Sequence, residues 1–179
     1  SFETYRKTFG PERRMFDMNG WRFIMINSVL LQPPVKRPDE LEAQTGWLRK
    51  TLNEAVRAKP RGIIAFMHHP FTDQDILGTA GDASIGRVYL DLLAEHKADA
   101  VFSGHTHRTI PEKWYRGVRL INTNGLCRSF DNQPGLRLVT VREDGFSHAF
   151  YQPDGLPEHL EARGMNLSDT LCALLKRAS

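Results

Sequence analysis

A chain of 179 residues with 40% hydrophobic and 25% charged side chains has the make-up of one ordinary globular domain with a sizeable core. Its net charge of +3 comes from scattered basic residues, without the long blocks or aromatic interleaving of a nucleic-acid surface, which leaves only a mild bias toward anionic substrates. Two cysteines, Cys127 and Cys172, are too few for a disulfide framework, and no apolar stretch reaches the roughly 18–20 residues of a membrane span. A cytoplasmic location without membrane or nucleic-acid partners is therefore expected. The numbering opens at Ser1 without a methionine, as in a processed or cut chain.

The first predicted element is a strand over 21–28, rich in β-formers and preceded by the turn signal Asn19-Gly20. Pro33, Pro34 and Pro38 forbid regular structure until about Asp39. A helix is expected from there to about Lys59, with Leu41, Thr45, Leu48, Leu52, Ala55 and Val56 on its buried face and Pro60 closing it. The apolar run 61–67 reads as a buried strand that empties into His68-His69-Pro70. Residues 70–83 have the composition of an exposed loop, and Asp82 or Ser84 is placed to cap a helix whose stripe is Ile85, Val88, Tyr89, Leu92 and Leu93. The alternation of strands and helices implies parallel crossovers in an α/β sheet.

A second apolar run, 98–103, ends in Gly104-His105-Thr106-His107. Two imidazoles two residues apart on an extended backbone share one side, and Gly104 permits a sharp turn there. Such a pair suits zinc, manganese or iron, or else a satisfied structural pair. In an open α/β sheet ligands gather at the carboxyl ends of the strands, so the two histidine groups are expected to meet at one crevice. Beyond them, 118–122, 136–141 and 146–151 read as antiparallel strands, the last two joined at Asp144-Gly145. The tail over 157–179 carries an expected terminal helix at 167–176, capped near Ser168. His96, His148 and His159 lack motif context and read as structural or solvated.

Met67-His68-His69-Pro70 and Gly104-His105-Thr106-His107, with a loop and a helix between them, resemble the last two motifs of the calcineurin-like metallophosphoesterases. The segments 21–28, Gln44 to Leu48 and Asn122-Thr123-Asn124-Gly125 also fall where that family has similar stretches, so the resemblance spans about 16–151. Gly125-Leu126-Cys127, 135–139 and Tyr151 are similar to its group of calcineurin-like phosphoesterase-domain serine/threonine phosphatases. The resemblance implies the second half of a four-layer αββα sandwich, with parallel βαβ units followed by antiparallel strands. It implies metal-dependent hydrolysis of a phosphorylated substrate, as a phosphatase or phosphodiesterase. Two divalent or trivalent ions, Mn, Fe or Zn, are implied in the complete protein. His68 and His105 would ligate one ion and His107 the other; His69 would contact phosphate, and Arg108 or Arg128 would screen its charge.

Three earlier family motifs, Asp-x-His, Gly-Asp-x-x-Asp and Gly-Asn-His-Asp/Glu, occur nowhere in the 179 residues. Three neutral imidazoles cannot bridge two cations or offset their repulsion, so the chain is expected to be the C-terminal portion of a longer domain, inactive by itself. The N-terminal half of the same domain, or a dimer partner, would then cover an apolar sheet face. Two alternatives need no missing part: a mononuclear zinc enzyme using His68, His105 and His107, and a non-catalytic binding module on a phosphoesterase-like fold.

Overall fold

A computed structural model describes residues 2–79, 84–126, 130 and 133–152, with the backbone of 161–162 and 165–166. Helix α1 (Phe2–Phe9) precedes an antiparallel hairpin of β1 (Arg14–Met18) and β2 (Trp21–Met25). Its two-residue turn is Asn19-Gly20, and both take the positive φ (53° and 80°) that a type I′ turn requires. A 3-10 turn (Ser28–Leu31) leads to α2 (Pro38–Ala58), which opens with proline and acidic residues in its first turn. Helix α2 ends where Lys59 turns left-handed (φ 49°) and donates its amide to the Ala55 carbonyl at 2.8 Å.

Strand β3 (Gly62–Phe66) follows, then the short helix α3 (Asp73–Leu77), α4 (Ile85–Glu95) and β4 (Ala100–Ser103). Helix α3 occupies part of the expected loop, because Thr72 and Asp75 form a capping box that closes a single five-residue helix. The Asp75 carboxylate also accepts from the Ser84 hydroxyl at 2.5 Å, and Ser84 is the N-cap of α4. Asp82 lies outside the described residues. The chain continues through β5 (Lys113–Tyr115), β6 (Val118–Asn122), the hairpin β7 (Leu136–Val141) and β8 (Phe146–Tyr151), and the two-residue strands β9 (Glu161–Ala162) and β10 (Met165–Asn166). The terminal helix expected at 167–176 lies outside the described residues, as do Cys127, Arg128, His159 and Cys172.

Six strands form the main sheet in the order β1-β2-β3-β4-β6-β5, with β2, β3, β4 and β6 parallel. The expectation of antiparallel pairing holds for β7 and β8 and fails for β6, which runs parallel to β4 and antiparallel only to β5. A return through β5 reverses the chain before β6, so that β6 re-enters the sheet in the direction of β4.

Period-2 alternation sorts the strand side chains onto two faces. Ile24, Ile63, Ala65 and Val101 pack with Leu48, Leu52 and Ala55 of α2 and with Tyr89, Leu90, Leu92 and Leu93 of α4. Trp21, Phe23, Ile64, Ala100, Phe102 and Ile121 face the other way, against Val139, Val141 and Phe146 of the β7–β8 hairpin. Val56, expected on the buried face of α2, is 61% exposed, and Gln44 and Thr51 are buried there instead. On the hairpin side a row of rings, Phe16, Phe23, Phe66 and Phe102, runs across four strands, and Phe16 at its outer end is 41% exposed. His96 caps the end of α4 with Nδ1 2.8 Å from the Leu92 carbonyl, and His148 lies between Arg119 and Arg137 at 2.9 and 2.8 Å. Among the described residues no helix is long and apolar enough to cross a membrane.

One buried charge ties β1 to the helical layer. Arg22, 5% exposed, donates to both carboxylate oxygens of Asp17 at 2.9 Å and to the Thr51 carbonyl at 3.2 Å. These hydrogen bonds hold the Asp17 carboxyl below its ordinary range. A lowered folded pKa contributes stability that is present above the unfolded value, about 3.9, and is lost as pH falls through the folded value. Asp17→Asn is therefore expected to lower the urea midpoint at pH 7, with the gap to wild type closing as pH drops below about 4. A gap that persists unchanged at low pH would remove the charge from this account.

Candidate metal centre

The parallel register brings four strand ends to one edge of the sheet. Phe66 of β3 stands beside Phe102 of β4, so His68 and Gly104 leave the sheet together, and the Gly104 amide donates to the His68 carbonyl at 3.0 Å. On one side Ile26 donates its amide to Phe66 at 2.8 Å, and on the other Thr123 donates to Ser103 at 2.7 Å. Ser28, His68, His69, His105 and Asn122 consequently gather where an α/β sheet binds ligands.

His68, His69 and His105 form the cluster. The Nε2 of His68 lies 3.1 Å from Nδ1 of His105, and the ring centroids are 4.3 to 5.0 Å apart. One ring nitrogen from each of the three falls within 4.8 Å of the others. Desolvation, reinforced by the neighbouring imidazoles, pushes the pKa of His68 and of His69 below the ordinary histidine range. A neutral ring is the form that offers a lone pair to a cation.

His107 is not part of this group: the resemblance assigns it to the second ion, and only the mononuclear alternative places it with His68 and His105. The extended backbone assumed for the motif is absent: His105 and His107 both have positive φ, 72° and 50°, whereas Gly104 does not. The loop thus turns at its histidines and sends their rings to different places. The His107 ring lies 6.0 Å from that of Phe130, and its Nδ1 is buried with no hydrogen-bond partner. A buried nitrogen without a partner on His107, together with the ring nitrogens of His68 and His105 that face each other at 3.1 Å, is a donor set that fits metal ions. No carboxylate joins the cluster among the described residues. Arg108 rests over the Phe130 ring, 5.6 Å from its centroid.

Two supports went unassigned in the sequence. Asn122, 6% exposed at the end of β6, donates to the Gly104 carbonyl at 2.6 Å and accepts from the Thr106 hydroxyl at 2.8 Å, holding the turn closed. Gln44, fully buried on α2, accepts from the Asn27 amide at 2.9 Å and donates to the Asn27 carbonyl at 3.1 Å. Its place on the apolar stripe, between Leu41 and Leu48, was the available signal. Asn122 was marked only by its place at a strand end and in the family-like stretch 122–125, neither of which gives its partners.

Residues 7–109 match the family model for Calcineurin-like phosphoesterase. The chain belongs to the calcineurin-like phosphoesterase family. It is 28% identical over 178 residues to serine/threonine-protein phosphatase CPPED1 of Bos taurus, an alignment covering 96% of this chain and 54% of that protein. To the Homo sapiens CPPED1 it is 26% identical over 182 residues, covering 98% and 55%. The Fe(3+)-Zn(2+) purple acid phosphatase 12 of Arabidopsis thaliana is 24% identical over 104 residues, 58% of this chain and 22% of that protein. The chain thus spans about half the length of the CPPED1 relatives it matches. Among solved structures, GAP50, the anchor in the inner membrane complex of Plasmodium, superposes with a TM-score of 0.56 at 15% identity, covering 93% of this chain and 58% of that one, a likeness of fold. As a calcineurin-like phosphoesterase, the chain carries the α/β architecture of that family, with its histidine motifs at the ends of β3 and β4.

Removing Asn122 tests how the turn is held. Asn122→Ala is expected to cost about 1–3 kcal/mol of unfolding free energy, since buried partners lose their hydrogen bonds. Amide exchange at Thr106 and His107 should quicken in the same variant. Unchanged exchange there would mean that the histidine backbone is fixed without Asn122.

Proposed function

We propose that this chain supplies the imidazole half of a two-metal phosphoesterase centre. The single observation that carries the reading is the meeting of His68 and His105 at 3.1 Å on the carboxyl edge of a sheet in this family. His68 and His105 hold one ion, and His107, with its partnerless buried Nδ1, serves the other. Carboxylate ligands come from a preceding segment, in keeping with a cluster made only of histidines and with relatives nearly twice as long. When bound, the two ions, of the Mn, Fe or Zn kind, lower the pKa of a water and offset charge on the phosphoryl oxygens. The protein groups orient the substrate, and His69 donates to a phosphoryl oxygen.

The CPPED1 relatives, by their name, are serine/threonine-protein phosphatases, which favours a phosphorylated serine or threonine as substrate. The exposed Phe16 and its neighbours on the same face, Met18 and Met25, are the apolar surface that the preceding segment would cover. A second reading draws on one observation, the three imidazoles of His68, His69 and His105 within 4.8 Å, which match a mononuclear zinc site with an open fourth position. That reading requires a free lone pair on His69.

Assayed in the full-length protein with p-nitrophenyl phosphate, hydrolysis should vanish on chelation and return with added Mn2+ or Zn2+. His105→Ala should lower kcat/KM by about a hundredfold or more, as loss of a group that stabilises transition-state charge does. Full hydrolysis after chelation, or an unaffected His105→Ala variant, would sink the proposal.

A further inference from the structure

Ser28 opens the 3-10 turn three residues past Met25, the last residue of β2, and is 1% exposed. Its Oγ accepts the backbone amides of His68 at 3.1 Å and His69 at 2.8 Å, and lies 3.0 Å from His69 Nδ1. A serine hydroxyl has two lone pairs and one proton. The two amides take both lone pairs, so what remains is the O–H, and His69 Nδ1 is the acceptor it reaches.

We infer that Ser28 is a positioning residue that keeps His69 in the tautomer with bare Nδ1 and protonated Nε2, making His69 a hydrogen-bond donor to an anionic oxygen and denying it to metal. In a neutral imidazole one nitrogen carries the proton and the other the lone pair. Here the lone pair on Nδ1 is engaged by Ser28, and Nε2 bears the proton. Whichever nitrogen of His69 lies in the three-histidine cluster, it has no lone pair to give. The reverse arrangement, His69 Nδ1–H donating to Oγ, puts three donors on an oxygen with two lone pairs and leaves a buried hydroxyl proton without an acceptor.

Two consecutive histidines thereby take different tasks. His68 keeps Nε2 beside His105, whereas the ring of His69 is held from behind by Ser28. The anion that His69 meets is a phosphoryl oxygen, and that detail alone rests on the phosphoesterase reading; the tautomer does not. Ser28 is itself held in register, since Gln44 of α2 makes both backbone hydrogen bonds of Asn27, and Gln44 in turn donates to the Tyr89 hydroxyl at 3.3 Å.

Nitrogen-15 NMR of histidine side chains in the metal-free 179-residue protein, at a pH where the rings are neutral, reads the tautomer directly. Wild type should show His69 with its proton on Nε2. Ser28→Ala should move the His69 nitrogens toward an averaged pair of tautomers, and Ser28→Thr, which retains the hydroxyl, should restore the wild-type pattern. A change confined to folding would leave no such pattern to rescue. Wild-type His69 protonated on Nδ1 would overturn the inference without any variant, and so would unchanged shifts in Ser28→Ala. Failure of phosphoester hydrolysis, by contrast, would count against the function and leave this reading of Ser28 to the spectra.

Discussion

Backbone amides that leave a sheet edge in the interior must find acceptors, and the hydroxyl of Ser28 meets that demand for His68 and His69 together. The wall of the site formed by His68 and His69 leans on this oxygen. On its β4 side the β3 segment is bonded through Met67 to Phe102 and, one step on, through Gly104 to the His68 carbonyl, each at 3.0 Å, which leaves the amides of His68 and His69 to be met from the β2 side. Ser28 instead draws both histidine amides toward the end of β2. Asn27, one residue earlier, is locked by the buried amide of Gln44, so the helical layer sets where the histidines stand.

The opposite wall is built by a different device. His105 and His107 both occupy positive φ, a conformation that costs an L-residue on the order of 1 kcal/mol and that histidine tolerates better than branched residues. Such strain persists where surroundings over-determine it. Here Asn122 clasps the Gly104 carbonyl and the Thr106 hydroxyl, and the Phe130 amide donates to the His107 carbonyl at 2.8 Å. Two strained residues in one turn direct two rings to different positions, one into the cluster and one beside Phe130. That separation is what a pair of adjacent ions asks of a His-x-His motif.

Much of this was legible in the residues alone. The runs ending in His68 and Gly104 showed themselves because a buried parallel strand is a local, continuous apolar stretch, and their convergence followed from the geometry of such sheets. The parts that were hidden depend on distant partners. The left-handed turn at His105 and His107 is held by Asn122 on the neighbouring strand and by the Phe130 amide, partners distant in sequence, so the flexible glycine next door was the natural but mistaken choice. The direction of β6 depends on the reversal through β5, which no periodicity records. Helix α3 is too short for a periodic signal and exists because Thr72 and Asp75 cap it. Val56 and Gln44 exchange their expected burial because a hydrogen-bonded amide inside α2 serves the strand end better than another methyl group.

That the imidazoles of this chain are half of a metal centre, as proposed, is tested most directly by metal content. After loading with Zn2+ and exhaustive dialysis, the 179-residue chain should retain well under one ion, whereas the protein that also carries the carboxylate-bearing segment should retain about two. One zinc held tightly by this chain alone, and lost on His69→Ala, would contradict both the half-site and the role given to His69.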